Sequence, residues 1–326
     1  MFKRIVTHND FDGISCAAVL ASQLNLNQII FTGPRAIIES QFPITMNDVV
    51  CDLPYPLECG MWFDHHIGNL EDVKYRGIDP DTIPGKFDLK PSCARVVYDY
   101  LGGDETLPLR FKTLVDEADI IDSFNFGSIE DWRKETPAKI IDSTLRILDS
   151  SPGEQRAYLN TLVRMLSSGT LYDAANSNDV QTRYRRYKSE EQRICDLIRN
   201  NSSFCDNDTK QELIIIDLTH MNKQPVIIKN MAYLIYPKAL GVLLVQNAYN
   251  RGQKTNDLQF SMALSLNLNT IAHQKNAGEI MRALNLGDGH NGAAAGIFKC
   301  RSKDDMLKNK ERILTEIWNL WKDQPV

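Results

Sequence analysis

The chain has 326 residues, 43% hydrophobic and 24% charged, an ordinary globular composition with more length than one hydrophobic core usually serves, so two domains are expected. Its formal net charge of −5 argues against a broadly basic duplex-binding surface and leaves only local contact with nucleic acid. Seven cysteines without a Cys-x-x-Cys pair do not form a disulfide framework or a zinc ribbon. No apolar run reaches the ~18 residues that span a bilayer, and a motif begins too near Met1 for a cleavable signal sequence, so a cytoplasmic protein with no membrane partner is expected.

In chain order, the first half alternates strand-like and helix-like runs. Residues 2–7 predict a strand and 14–24 a helix rich in small residues. Further strands are expected at 28–32, 49–51 and 61–63, and helices at 95–101 and 109–121. Such alternation predicts an α/β domain with a mostly parallel sheet flanked by helices. Residues 68–91, rich in Asp, Pro and Gly, predict a loop. The pattern is helical over 138–172. A long amphipathic helix follows at about 180–198, with Tyr184, Tyr187, Ile194 and Ile198 on one face and a solvated face bearing Arg183, Arg185 and Arg186. The polar stretch at 200–209 is the best domain boundary. Beyond it, strands are expected at 212–218, 225–229, 241–247 and 259–266, a helix at 277–284, and a C-terminal helix carrying Ile313, Ile317, Trp318 and Trp321. The expected organisation is a catalytic domain at 1–180, a linker helix at 181–204 and a smaller α/β domain at 205–326.

Three apolar runs of the first domain end in His or Asp. They are Ile5-Val6-Thr7-His8-Asn9-Asp10-Phe11-Asp12-Gly13, Val49-Val50-Cys51-Asp52 and Trp62-Phe63-Asp64-His65-His66. Taken singly, an Asp after a strand is more often a helix cap and a His is usually just hydrogen-bonded. Together they are what an open sheet needs to gather metal ligands at the carboxyl edge of its strands. Imidazole and carboxylate in one set suit Mn, Zn or Fe better than Ca or Mg. With a later Asp119, the residues His8, Asp10, Asp12, Asp52 and His65 supply two imidazoles and four carboxylates, more than one ion can use, and a pair of ions sharing a carboxylate would use them all.

The string from Thr7 to Gly13, the isolated Asp52, Asp64-His65-His66 and a later Asp119 resemble the ordered signatures of the DHH phosphoesterase superfamily, whose members include RecJ-like and nanoRNase-type enzymes. The run Gly287-Asp288-Gly289-His290-Asn291-Gly292-Ala293-Ala294-Ala295-Gly296 resembles the glycine-rich motif of the DHHA1 domain that follows in many members. The resemblance implies that His8, Asp10 and Asp52 hold one metal ion and that Asp12, His65, Asp119 and the shared Asp52 hold a second, Mn being the usual ion. Asp122 is the alternative to Asp119. Catalytic roles are implied for Asp64, orienting its neighbours, and for His66, contacting the phosphate or assisting the leaving group. The segment Lys90-Pro91-Ser92-Cys93-Ala94-Arg95 is similar to a weaker family segment, with Ser92 also readable as a helix cap.

Gly287, Gly289 and His290 are the implied substrate contacts, with the substrate held between the domains. Asp288 departs from the family's usual Gly and sets a negative charge beside the expected phosphate. The arginine of the preceding strand in nucleic-acid-cleaving members has no match in residues 260–266; Arg251 and Lys254 are the candidate substitutes. The implied activity is Mn-dependent hydrolysis of short single-stranded oligonucleotides or dinucleotides to nucleoside monophosphates. The alternatives are pAp phosphatase, exopolyphosphatase and a nucleotide-binding regulator without turnover. The family's pyrophosphatases show a longer His-to-Asp spacing than His8-x-Asp10. The oligomeric state is open, a homodimer among the options.

Overall fold

The computed structural model describes residues 2–147, 151–250 and 252–326. The chain divides into two compact units, one of residues 1–126 and 134–188, the other of 127–133 and 189–326. The helix Asn178–Asn201 contributes residues to both.

The first unit is built on five strands, β1 (Arg4–Thr7), β2 (Gln28–Phe31), β3 (Asp48–Cys51), β4 (Met61–Asp64) and β5 (Gly85–Phe87), ordered β2-β1-β3-β4-β5. Every pairing is parallel. Val49, Val50, Cys51 and Phe63 are fully buried, as expected of strands covered on both faces. The helix Phe11–Leu24 is buried from Phe11 to Leu20, and its small residues Cys16, Ala17 and Ala18 sit in one core with Val49, Phe63, Val97, Phe111 and Leu162.

Chain order reverses direction between β1 and β3, because β2 lies on one side of β1 while β3, β4 and β5 continue on the other. In open α/β sheets such a switch point leaves a crevice at the carboxyl ends of the strands. The register aligns those ends. Thr7 pairs with Cys51 and Cys51 with Phe63, so His8, Asp52 and Asp64 come next in one row.

The second unit has a six-stranded mixed sheet ordered β10-β11-β9-β8-β7-β6. Its strands are β6 (Ser202–Ser203), β7 (Leu213–Asp217), β8 (Gly241–Asn250), β9 (Gln253–Leu264), β10 (Gly287–His290) and β11 (Ala293–Phe298). The C-terminal helix Lys303–Asp323 buries Ile313, Ile317, Trp318 and Trp321 in the same core as Leu213, Val245 and Phe260. This is the α/β class expected for both halves.

Some local expectations differ from the structure. In the expected strand at 225–229, residues 225–228 are irregular and Lys229 opens a 3-10 turn, Lys229–Met231; β7 is already paired on both sides, by β6 and β8, so no edge there is open to a further strand. The expected loop at 68–91 contains most of the helix Ile67–Tyr75 and the three-residue edge strand β5, too short and polar to carry a period. Arg183 is not solvated: it is buried, with its guanidinium 4.0 Å from the Tyr158 ring centroid.

Candidate metal centre

The chain leaves β1 at Thr7 and turns within three residues into the helix Phe11–Leu24. Asp10 caps that helix, its Oδ1 accepting from the Gly13 amide at 2.9 Å. Gly13 is required by close approach: a Cβ there would lie 2.3 Å from the His8 carbonyl oxygen. The tight turn brings His8 Nδ1 to 2.5 Å from Asp10 Oδ2. Asp12 enters the first helical turn and is buried. Its two oxygens accept from the amides of Cys93 and Ala94 at 2.7 and 2.8 Å, at the start of the helix Cys93–Tyr100, where unpaired N–H groups and the helix dipole favour an anion.

Asp52 follows β3 with φ +57, a left-handed conformation uncommon outside glycine and tolerated best by Asn and Asp. Its amide donates to the Phe63 carbonyl at 3.0 Å, and its side chain faces two sets of neighbours. Oδ2 lies 3.7 Å from His8 Nδ1, while Oδ1 lies 3.9 Å from His65 Nε2 and 3.8 Å from His66 Nδ1. His65 Nε2 is in turn 3.8 Å from Asp12 Oδ2 and 3.4 Å from Asp122 Oδ2. Ligand-grade atoms thus gather within 4.8 Å of one another as His8–Asp10–Asp52, as Asp12–His65–Asp122 and as Asp52–His65–His66.

Asp119 does not join them. Its carboxylate accepts from Ser92 Oγ at 2.6 Å and from Arg95 Nε at 2.9 Å. Asp122, three residues on in the helix Leu109–Asp122, is the aspartate of that helix that lies in the cluster. Both lie on one helix face at i and i+3, so periodicity could not choose between them; the partners do, because Arg95 and Ser92 occupy Asp119.

Two buried atoms in this cluster, Asp52 Oδ2 and His65 Nε2, find no hydrogen-bond partner among the described residues. The His65 ring meets the Lys90 carbonyl through Nδ1 at 3.0 Å. A carbonyl only accepts, so Nδ1 carries the proton and neutral imidazole presents a bare lone pair at Nε2. That lone pair confronts three carboxylates. Burial, then the charges of Asp122 and Asp10, push the Asp12 pKa well above the usual carboxylate range. Burial, then Asp12 and Asp10, do the same to Asp52, and burial raises Asp122. For the His8–Asp10 pair, desolvation is the largest single effect and opposes charge on both, but their hydrogen bond and mutual charge, with other nearby contacts, together prevail, raising His8 and lowering Asp10. A self-repelling set of acceptors with orphaned donor-less atoms fits divalent cations, and the mixed imidazole and carboxylate chemistry suits Mn, Zn or Fe.

Asp64 is fully buried and accepts from the His65 amide at 2.8 Å, from His66 Nδ1 at 2.9 Å and from Asn69 Nδ2 at 2.6 Å. It orients both histidines. The His66 side chain is 53% exposed, and its bond to Asp64 raises its pKa against the opposing effect of desolvation. Asn69, five residues beyond Asp64, carried no signal in the sequence.

In the second unit, Gly287 and Gly289 belong to β10, the first arm of a hairpin with β11. A Cβ at Gly287 would lie 2.1 Å from the Ala295 carbonyl oxygen, and one at Gly289 2.4 Å from that of Ala293, so close strand packing accounts for both glycines. His290 is exposed and its Nδ1 accepts from the Gly292 amide at 3.2 Å. The charge of Asp288 is not left facing outward alone: Arg282 Nη1 donates to it at 2.5 Å and to the Gly289 carbonyl at 3.1 Å. Lys254 is tied to the Thr219 carbonyl at 2.6 Å, and Arg251 lies outside the described residues.

No family model and no curated protein matches the chain. Solved structures do. A pGpG-specific phosphodiesterase, PggH from Vibrio cholerae, is 22% identical over 97% of this chain and 98% of that one, with a TM-score of 0.72. RecJ from Thermus thermophilus, solved with Mn2+, is 16% identical over 99% of this chain and 52% of that one, with a TM-score of 0.51. The DHH domain of a member of the s1p family of ribosomal proteins is 12% identical over 100% and 88% of the two chains, also with a TM-score of 0.51.

Proposed function

From a chain that has the fold of DHH-domain proteins, we propose a divalent-metal-dependent phosphodiesterase that hydrolyses dinucleotides or short oligonucleotides to nucleoside monophosphates. The observation that carries it is the pair of ligand groups, His8–Asp10–Asp52 and Asp12–His65–Asp122, joined by an Asp52 carboxylate that turns one oxygen to each. Two ions, Mn in this reading, would be held there, His8 and Asp10 serving one, Asp12, His65 and Asp122 the other, and Asp52 both. When bound, such ions activate water and neutralise charge on a phosphoryl group. The likeness to a pGpG-specific phosphodiesterase over nearly the full length of both chains supports a substrate of dinucleotide size.

The protein's own groups supply the rest. Asp64 accepts a hydrogen bond from His66 Nδ1 and so fixes the ring with Nε2 available to the substrate. Its raised pKa keeps His66 protonated further toward neutral pH, ready to hand a proton to the departing ribose oxygen. The α-helical amides of Cys93 and Ala94 hold Asp12 in place, and the Lys90 carbonyl fixes the tautomer of His65. In the second unit, His290 takes a proton acceptor's role at Nδ1, which leaves its Nε2–H as a donor for a substrate phosphate. Gly287 and Gly289 shape the strand that presents it.

A panel of pGpG, other dinucleotides, longer RNA and DNA, pAp and polyphosphate, each with Mn and with EDTA, tests the reading. Release of mononucleotides from dinucleotides, abolished by EDTA, is expected. Turnover confined to pAp or polyphosphate would replace the substrate assignment, and nucleotide binding in EDTA without turnover under any metal would favour a regulator.

A further inference from the structure

We propose that Asp119 is a positioning residue: through Ser92 and Arg95 it latches residues 90–95 onto the helix Leu109–Asp122 and so sets the mutual placement of Asp12, His65 and Asp122. The inference rests on the two-ion reading above. Two of these three ligands are held by main-chain atoms of one short segment. The Lys90 carbonyl accepts from His65 Nδ1 at 3.0 Å, while the Cys93 and Ala94 amides donate to the two oxygens of Asp12 at 2.7 and 2.8 Å. The third ligand, Asp122, lies on a different element, less than one turn beyond Asp119.

Something must join the segment to that helix, and the joint is the Asp119 carboxylate. Its Oδ1 takes the Ser92 hydroxyl at 2.6 Å, and its Oδ2 takes Arg95 Nε at 2.9 Å and Nη2 at 2.7 Å. Arg95 also reaches Asp116 at 2.5 Å, a second hold on the same helix. Ser92 is fully buried and caps the helix Cys93–Tyr100 through the Arg95 amide. With Nε and Nη2 both turned to the one oxygen Asp119 Oδ2 and Nη2 also donating to Asp116, the planar guanidinium fixes angle as well as distance, which a lysine would not. Displacement of the segment would carry Asp12 and His65 away from Asp122 together, while His8 and Asp10 are held by the turn that follows β1 and by each other.

Outer partners of metal ligands typically govern about 10- to 100-fold in metal affinity. Manganese titration of the whole chain, followed by calorimetry and by the EPR signal of free Mn2+, is the test, with thermal melts to confirm folding. Wild type is expected to bind two ions. Asp119→Asn should still bind two, one of them about 10- to 100-fold more weakly and the other as in wild type, with turnover of a dinucleotide recovering at high Mn. Ser92→Ala, which removes one bond and leaves the ion pair, should weaken the same ion by less. Asp122→Asn, lacking a ligand, should not recover. Two ions bound with wild-type affinities by both Asp119→Asn and Ser92→Ala would overturn the latch while leaving the metal centre standing. Loss of one ion from Asp119→Asn at every concentration would make Asp119 a ligand instead. Absence of any bound Mn in wild type would overturn the metal centre and the latch with it.

Discussion

Replacing Asp52 by Asn keeps the shape of the side chain and removes one charge from the junction of the two ligand groups. The Asp52 oxygens lie 3.7 Å from His8 Nδ1 and 3.9 Å from His65 Nε2, so ions seated in either group would lie within a few ångströms of the carboxylate. A unit charge about 4 Å away at an effective dielectric near 20 is worth about 4 kcal/mol, which corresponds to roughly a thousandfold in rate. Asp52→Asn is therefore expected to lower kcat on a dinucleotide by about three powers of ten at saturating Mn. In EDTA the same substitution should act in the opposite direction. Burial, Asp12 and Asp10 raise the folded-state pKa of Asp52 well above its ordinary value, so between the unfolded carboxylate pKa and that raised value the folded chain binds more protons than the unfolded one. Stability of the metal-free wild type then falls as pH rises through this window, and the variant lacks that loss. Thermal melts in EDTA should show Asp52→Asn gaining on wild type as pH is raised, by roughly 2–4 °C per kcal/mol for a domain of this size, with Mn reversing the order. A kcat within tenfold of wild type at saturating Mn, or a variant less stable than wild type in EDTA at neutral pH, would refute the reasoning.

Three further outcomes are expected. His66→Ala should slow dinucleotide hydrolysis by about 10²- to 10⁴-fold and flatten the alkaline limb of the pH profile, but spare an ester whose leaving group needs no proton, such as bis-p-nitrophenyl phosphate; kinetics on both substrates across pH check it. Mn or Co should support turnover far better than Ca, given the imidazole in each ligand group, and steady-state rates in metal-stripped protein with defined additions decide it. His290→Ala should raise KM or lower kcat on a dinucleotide while leaving bis-p-nitrophenyl phosphate unaffected, since equal losses on both would assign His290 to the fold.

Much of the fold and part of the centre were legible in the sequence, and the boundary between what was and was not has a physical origin. Parallel strands buried on both faces read as continuous apolar runs, so β1, β3 and β4 announced themselves, and each was followed by its His or Asp. A three-residue edge strand such as β5 has no periodicity to show. In sequence the glycines of β10 point to substrate contact, because glycine lets a backbone approach an anion closely. Their structural cause is the approach of the facing strand, with a Cβ at Gly287 only 2.1 Å from a carbonyl oxygen, and that depends on a pairing the local sequence does not contain. Asp288 was read as a repelling charge because Arg282, six residues earlier on another element, is not its neighbour in sequence.

Asp119 and Asp122 show why the helix-borne candidate is the hardest to read. Strand-borne ligands are fixed by register: once Thr7 pairs with Cys51 and Cys51 with Phe63, the residues that follow must share an edge. A helix offers no such constraint, because aspartates at i and i+3 project from one face and either can reach a site beneath it. What separates them is the distribution of cations and donors around that face. Arg95 and Ser92 satisfy Asp119, whereas Asp122 meets His65 at 3.4 Å and has its pKa raised by burial, with the nearby Asp10 charge adding to the rise. A carboxylate with its own arginine is already compensated and one pressed among other carboxylates is not, so charge compensation rather than spacing separates the two candidates.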